Sequence, residues 1–216
     1  MSFPPIVTHE LEGWILFWAE LAPVPGPAAA LAEARREVAA RARATHTADK
    51  LAAYPAAAGV RKLFRAVGCD PTRYRPSSEA LLRRILKGDE LPAIGPSVDL
   101  NNCLSVELVV PACVMNPLAI TSPFTLRAGR RREDMISMRG PFDLTAKPTL
   151  CDAAGPFGTP ITDSERVRVT DATADVWMVA YLPAGVVTPD EAAAHLRALL
   201  ERAPVARLGA VAHTPA

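Results

Sequence analysis

Apolar residues follow one spacing in the first half of the chain and another in the second. Trp14-Ile15-Leu16-Phe17-Trp18 is an unbroken aromatic and aliphatic run, whose side-chain shapes suit a buried strand. Pro23, Pro25 and Pro27 end it. Residues 28–51 then read as a long Ala-rich helix, with Glu37 and Arg41 one turn apart on a solvated face. Val60, Leu63, Phe64 and Val67 recur at helical spacing, which predicts a second helix over 57–67 with Gly68 as its stop. A further helix is expected to open at Ser77 as N-cap, with Glu79 in the first turn where a negative charge suits the dipole. It should bury Leu81, Leu82, Ile85 and Leu86 and end at Gly88. Apolar residues at 100, 104 and 108 predict a short helix within 98–109, ending before Pro111.

Beyond Pro111 the pattern changes to short β-type runs at 124–126, 135–138, 149–151, 167–169 and 176–182, separated by Gly, Pro and Asp. A last helix should start at Thr188 as cap and run to about Arg202. Helices first and strands later imply an α+β fold, a mostly antiparallel sheet packed with helices, rather than alternating βαβ units. No repeat or long linker divides the chain, so one domain over residues 1–216 is expected, with a mobile tail from Ala203.

Composition narrows the function classes. A 216-residue chain that is half hydrophobic, with a net charge of +1, can bury a sizeable core and carries no whole-molecule attraction to polyanions. The basic side is 20 Arg against 4 Lys in an Ala- and Pro-rich chain, a bias that reflects codon usage as much as guanidinium chemistry. Cys69, Cys103, Cys113 and Cys151 show no C-x-x-C spacing and no nearby His, so neither a zinc site nor a redox pair is expected. No basic leader or membrane-length apolar run stands out, which suggests a soluble, cytoplasmic protein. Phosphate loops, dinucleotide fingerprints and a G-x-S-x-G elbow are absent, so no nucleotide cofactor is expected.

Three constellations could carry chemistry. Between residues 61 and 87, eight basic residues (Arg61, Lys62, Arg65, Arg73, Arg75, Arg83, Arg84, Lys87) face two acidic ones (Asp70, Glu79), so either a solvated helix face or a polyanion surface fits. Asp99, Asn101, Asn102, Ser105 and Glu107 crowd the start and one side of the 98–109 helix. Asn101 there reads most simply as a cap, and Asn102 as an amide able to bind a carboxylate or carbonyl. In the 152–164 loop, two glycines and two prolines fix a tight turn, and Thr159, Thr162, Asp163 and Ser164 supply small polar groups.

Taken together, Arg75-Pro76-Ser77-Ser78-Glu79-Ala80-Leu81-Leu82-Arg83-Arg84 and Val98-Asp99-Leu100-Asn101-Asn102, followed by Val106-Glu107-Leu108 and Pro111, resemble the tRNA-binding and editing module of the phenylalanyl-tRNA synthetase beta subunit. The likeness is closer to stand-alone proteins built from that module. It covers residues 55–183 and continues at Leu126-Arg127-Ala128-Gly129, at Asp152 and at Val169-Thr170-Asp171-Ala172-Thr173-Ala174-Asp175-Val176. The resemblance implies an editing-domain-like fold and hydrolysis of a mischarged aminoacyl-tRNA, with no metal, covalent nucleophile or other cofactor. Asn102 matches the pocket asparagine, and Gly158 falls in the glycine-rich pocket wall. Asp99, Asn101, Asn102, Glu107, Cys113, Gly158, Thr159, Asp163 and Ser164 would bind substrate, Asn102 would position it for reaction, and Arg75, Arg83 and Arg84 would hold RNA. Two positions depart from the family: Cys113 stands where it has a pocket His, and Val179 near its acidic reader of the tyrosine hydroxyl. A buried site without that acceptor cannot favour a phenol over a phenyl by the ~10⁴-fold order of hydrogen-bonded pockets. The competing classes are a non-catalytic protein that binds an amino-acid-like molecule in the same pocket, and an interaction module. Which amino acid or tRNA is involved, and the oligomeric state, stay open at this level.

Overall fold

The protein is described by a computed structural model over residues 3–215. Its strands are β1 (Val7–His9), β2 (Trp14–Pro23), β3 (Ala112–Met115), β4 (Phe124–Ala128), β5 (Asp134–Ser137), β6 (Gly140–Asp143), β7 (Pro148–Asp152), β8 (Gly155–Gly158), β9 (Val176–Pro183) and β10 (Ala206–His213). Its helices are α1 (Ala28–Thr45), α2 (Pro55–Ala66), α3 (Ser77–Leu86), α4 (Pro96–Leu108) and α5 (Pro189–Arg202).

The fold is α+β with mostly antiparallel sheets, as the sequence pattern implies. One sheet has the order β10-β2-β9-β3 and is antiparallel throughout. A second has the order β1-β4-β7-β8, with a parallel β1–β4 pair. β5 and β6 form a separate hairpin. All eight residues of β9 are buried, which is why 176–182 reads as a continuous apolar run rather than an alternating one. α1, α4 and α5 pack together, α4 also lies on β3 and β9, and α2 lies on β9. One hydrophobic cluster runs from Trp14 and Trp18 through Phe64 and Leu104 to Phe124 and Phe157, so both sheets share a core.

Several sequence expectations need correction. α1 stops at Thr45, and Leu51–Ala53 is a separate 3-10 turn, because after Thr45 no apolar stripe holds a helix against the core. Ser77 is the first helical residue rather than the cap. Pro76 occupies the cap position, and the Ser77 N–H donates to the Pro160 carbonyl at 2.9 Å. The buried stripe of α3 is Ser78, Glu79, Leu82 and Ile85, with Leu81 and Leu86 half-buried. Asn101 lies inside α4, not at its cap; Gly95 is the cap, and the Asn101 amide donates to the Ala112 carbonyl at 3.1 Å. Around 167–169 the chain makes the 3-10 turn Glu165–Val167 instead of a strand, with the Ser164 hydroxyl as its cap. The tail is not loose: β10 pairs with β2, and buried Thr214 accepts from Leu16 N–H at 3.0 Å. Its alternation is too mixed with small residues for pattern reading, and pairing with the mostly apolar, largely buried β2 supplies what propensity does not.

Helix α5 matches expectation closely. Thr188 accepts from Glu191 N–H and the Glu191 carboxylate accepts from Thr188 N–H, a reciprocal capping box.

Candidate functional site

Three buried polar side chains meet where the two four-stranded sheets approach each other. In the β3–β9 register Cys113 stands opposite Val179, and Tyr181, two residues further along β9, projects from the same face. Pro111, just before β3, accepts the Tyr181 N–H at 2.9 Å, and the Trp14 ring meets the Tyr181 ring edge-on at 6.2 Å. From the other side comes Gly158, at the end of β8, bridged to Asp163. A methyl group on Gly158 would sit 3.2 Å from the Tyr181 hydroxyl and 3.4 Å from the Asp163 carboxylate, so a side chain there would press both groups back by a few tenths of an ångström.

The trio is electrostatically strained. Burial pushes the Asp163 carboxyl up to about 7, with the Cys113 thiol and the Thr159 backbone pulling the other way. Burial, reinforced by Asp163, raises the Cys113 thiol well above its ordinary value, and burial does the same to the Tyr181 phenol. One Asp163 carboxylate oxygen and the Tyr181 hydroxyl find no well-formed hydrogen bond among the described residues. Buried polar atoms with unmet bonding capacity are uncommon, and a carboxyl titrating near neutrality is suited to proton transfer.

The surrounding loop is fixed by its own hydrogen bonds. Asp152 is clamped by Arg166 through two bonds of 2.9 Å and also accepts from Thr121 and Ala154 N–H. The Thr159 hydroxyl accepts from Thr162 N–H and donates to the Thr162 carbonyl. Ser164 accepts from Arg166 N–H and donates to the Ile136 carbonyl. Of the polar loop residues, then, Thr159 and Ser164 shape the turn while Asp163 points inward.

The α4 residues separate in space. Asp99 accepts from Ile94 and Gly95 N–H and pairs with Arg35 at 3.1 Å, which locks the start of the helix. Glu107 is drawn into an ion cluster with Arg41 (2.9 Å), Arg202 (2.8 Å) and the His195 ring (3.1 Å) between α1, α4 and α5. Among the described residues no hydrogen bond or ion pair joins either to the trio. Asn101 and Asn102 are both buried on α4, and the following turn passes through Val109 in the left-handed region (φ +57°), a strained choice for a β-branched residue, before entering β3 and Cys113. Thr170 N–H donates to the Thr173 hydroxyl at 2.9 Å, folding the T-x-x-T segment over a cleft of ≈ 610 Å³ that it shares with Ile94–Val98.

A model of the B3/4 domain, a module found in the phenylalanyl-tRNA synthetase beta subunit, matches residues 59–197. The chain belongs to the B3/4 domain family. The resemblance read from the motifs is therefore borne out at the level of the family. The chain is also similar to the crystal structure of an N-terminal fragment of the phenylalanyl-tRNA synthetase beta subunit from Pyrococcus horikoshii, at 12% identity and a TM-score of 0.47. That likeness covers 100% of this chain and 55% of the other, so the chain spans about half the length of that relative. No curated protein matches it. In this B3/4 domain the matched region holds Asn102, Cys113, Gly158, Asp163 and Tyr181, while β2 and β10 lie outside it and complete the central sheet.

Among the described residues of the B3/4 domain, no group of three His, Cys, Asp or Glu side chains is placed to hold a metal ion, and no helix is long and apolar enough to cross a membrane. All four cysteines are buried and free. Of the expected RNA-binding arginines, Arg84 is exposed and sits 3.7 Å from Asp89, whereas Arg75 and Arg83 are half-buried with the Nε of each lacking a partner. Tyr181 is the site residue that sequence reasoning missed. The available signal was a phenol inside an otherwise apolar run, since a buried tyrosine hydroxyl ordinarily finds a partner. Replacing it tests whether that partner lies within the protein. Tyr181→Phe removes a buried hydroxyl that has no well-formed bond, so urea unfolding should show stability unchanged or raised by about 1 kcal/mol. A loss of similar size would mean that the hydroxyl is bonded in the resting protein.

Proposed function

We propose that this B3/4 domain binds the acceptor end of a tRNA and hydrolyses a mischarged aminoacyl ester in trans. The observation that carries the reading is the Cys113–Asp163–Tyr181 trio under Gly158, a buried polar floor with unmet hydrogen-bonding capacity, two of whose members stand on β3 and β9, the strands on which the Asn102-bearing helix α4 packs. Family membership supports the RNA partner.

Ester hydrolysis needs a water brought to the carbonyl carbon, a donor for the oxyanion that forms, and a proton for the departing ribose oxygen. The Asn102 amide would serve as donor to the carbonyl oxygen. Asp163, titrating near neutrality, would accept the proton of the attacking water as its oxygen bonds the carbonyl carbon, and return it to the ribose oxygen as the acyl C–O bond breaks. With Val179 opposite Cys113, the trio offers no carboxylate at the position of the family's acidic reader, so the aminoacyl group released is not expected to be chosen for a tyrosine hydroxyl.

The close approach of Gly158 to Tyr181 favours one competing reading, in which the pocket stays closed and the domain binds RNA without catalysis. Incubation with a panel of correctly and incorrectly charged tRNAs separates the two. Under the proposal at least one mischarged species is deacylated in proportion to protein. Asn102→Ala then slows that release by about 100-fold, the order seen when one oxyanion donor is removed, with unchanged circular dichroism. Release from none of them would end the hydrolytic reading, and tRNA binding that weakens steeply with salt would then support the binding-only one.

A further inference from the structure

We propose that the β5–β6 hairpin, together with the arginine run leading into it, is the surface on which the chain takes an RNA backbone. Arg130, Arg131 and Arg132 are consecutive and exposed on the turn between β4 and β5, and Arg139 is exposed at the tip of the hairpin. None of the four forms an ion pair among the described residues, although Arg35, Arg41, Arg61, Arg127, Arg166 and Arg202 all do. The local carboxylates are already engaged. Glu133 holds Arg127 through bonds of 2.8 and 2.6 Å and accepts the Arg130 N–H at 2.7 Å. Asp143 holds Thr145 and Lys147. Beyond Glu133, whose charge Arg130 also feels, the exposed Asp134 is left to offset four guanidinium groups that form no ion pair among the described residues.

Two further features select a nucleic acid. A guanidinium presents a planar fork that matches phosphate oxygens, and four unneutralised forks on one small hairpin suit a chain of evenly repeated anions. Between them Ile136 and Met138 stand 56% and 37% exposed, apolar groups placed to pack on sugars and unstacked bases. An acidic peptide would need the charge but offers nothing for these two side chains that recurs along its length.

The hairpin is also tied to the candidate site. Met138 N–H donates to the Asp163 carbonyl at 3.0 Å, Ser164 donates to the Ile136 carbonyl at 3.3 Å, and Ser137 and Ser164 form a β-bridge. A strand of RNA lying on the hairpin is thus held against the same backbone that carries Asp163. The choice of partner rests on the proposed tRNA function, and the surface lies apart from α3, where the sequence had placed the basic residues.

The test uses the full chain with all four arginines changed to glutamine (R130Q/R131Q/R132Q/R139Q), probed with deacylated tRNA and separately with poly-glutamate between ~50 and ~200 mM salt. Because each phosphate contact contributes a slope of about −0.7 to −0.9, the plot of log affinity against log salt should flatten by about 3. Affinity at the lowest salt should fall by roughly 100-fold or more, with the thermal midpoint unchanged because all four side chains are exposed. Wild-type binding with an unaltered slope in the variant overturns the hairpin as the RNA surface while leaving the tRNA reading standing. A wild-type chain that binds no tRNA even at low salt overturns both. Loss of poly-glutamate binding with tRNA binding intact overturns the proposal in favour of an acidic protein partner.

Discussion

Glu79→Ala is expected to destabilise the protein by about 3–5 kcal/mol, the cost of leaving a buried charge without its partner. The Glu79 side chain is fully buried and Arg61 is 10% exposed; Arg61 reaches both carboxylate oxygens, at 3.0 and 3.2 Å. The same guanidinium donates to the Thr72 hydroxyl at 3.1 Å, so one ion pair joins α2, the 70–72 turn and α3. In a chain of this size each kcal/mol shifts the thermal midpoint by roughly 2–4 °C, which makes the expected drop roughly 6–20 °C. The double variant Arg61→Met with Glu79→Leu should recover most of the loss, because replacing both charges with apolar groups removes the desolvation penalty along with the attraction. Urea unfolding of the two variants decides it. A single-variant loss below about 1 kcal/mol, or a double variant no better than the single one, would show that the pair is not the tie between these helices.

That pair also marks how far the sequence could be read. Local signals were legible: the capping box at Thr188, the apolar run of β9, and the stop at Gly88, which takes a left-handed φ of +102°. What was not legible depends on partners distant in sequence. Glu79 in a first turn looks like a dipole effect until Arg61, eighteen residues earlier, is seen to bury it. Asn101 at the start of an apolar pattern looks like a cap until the return of the chain through Val109 and Pro111 brings the Ala112 carbonyl to its amide. β10 carries too little hydrophobic pattern to announce a strand, and its structure comes from β2, whose edge it covers. The candidate site shows the same division. The family resemblance singled out Asn102, Cys113 and Gly158, and the small polar groups of the 152–164 loop brought in Asp163, but which side chains of that loop point inward was decided by hydrogen bonds within the turn. Glu107, on the same helix as Asn102, is taken by Arg41, Arg202 and His195 because α1 and α5 pack along that side.

The arginines make a related point about composition. Twenty of them in a near-neutral chain are weak evidence for a polyanion surface when counted. Pairing sorts them physically. Arg61 and Arg84 from the 61–87 cluster face carboxylates and Arg75 and Arg83 are half-buried, which breaks that cluster up, while the 130–132 run, which the sequence reading passed over, is consecutive, exposed and without an ion pair among the described residues. Free guanidinium groups, rather than local charge density along the sequence, are what an RNA backbone can engage.

Asp163→Asn should alter the pH dependence of stability more than any other single change at the site. The folded carboxyl is raised from 3.8 to about 7, chiefly by burial, so the folded chain holds a proton that the unfolded chain has already released across that interval. Stability contributed by this group is therefore fully present below pH ~4 and is lost as pH rises through about 7, above which the loss is complete. At 1.36 kcal/mol per pH unit the span amounts to about 4 kcal/mol, an upper figure if the site admits water on opening. Asparagine has no proton to lose, so the difference in unfolding free energy between variant and wild type should grow in the variant's favour by that order between pH 4.5 and 8. Glu133 and Asp143, whose carboxyls are held low by Arg127 and Thr145 respectively, act in the opposite direction, but they are common to both chains and cancel in the comparison. Parallel profiles for the two proteins would mean that Asp163 is ionised and solvated in the folded state. The same measurement bears on chemistry, because the carboxylate form that destabilises the fold is the form that can take a proton from water. Under the proposed hydrolysis, deacylation by the wild type should rise through about pH 7 as stability falls, and Asp163→Asn should abolish that rise while gaining stability at pH 8. A variant that keeps both the activity and its pH dependence would leave the trio as a strained piece of core with no part in the reaction.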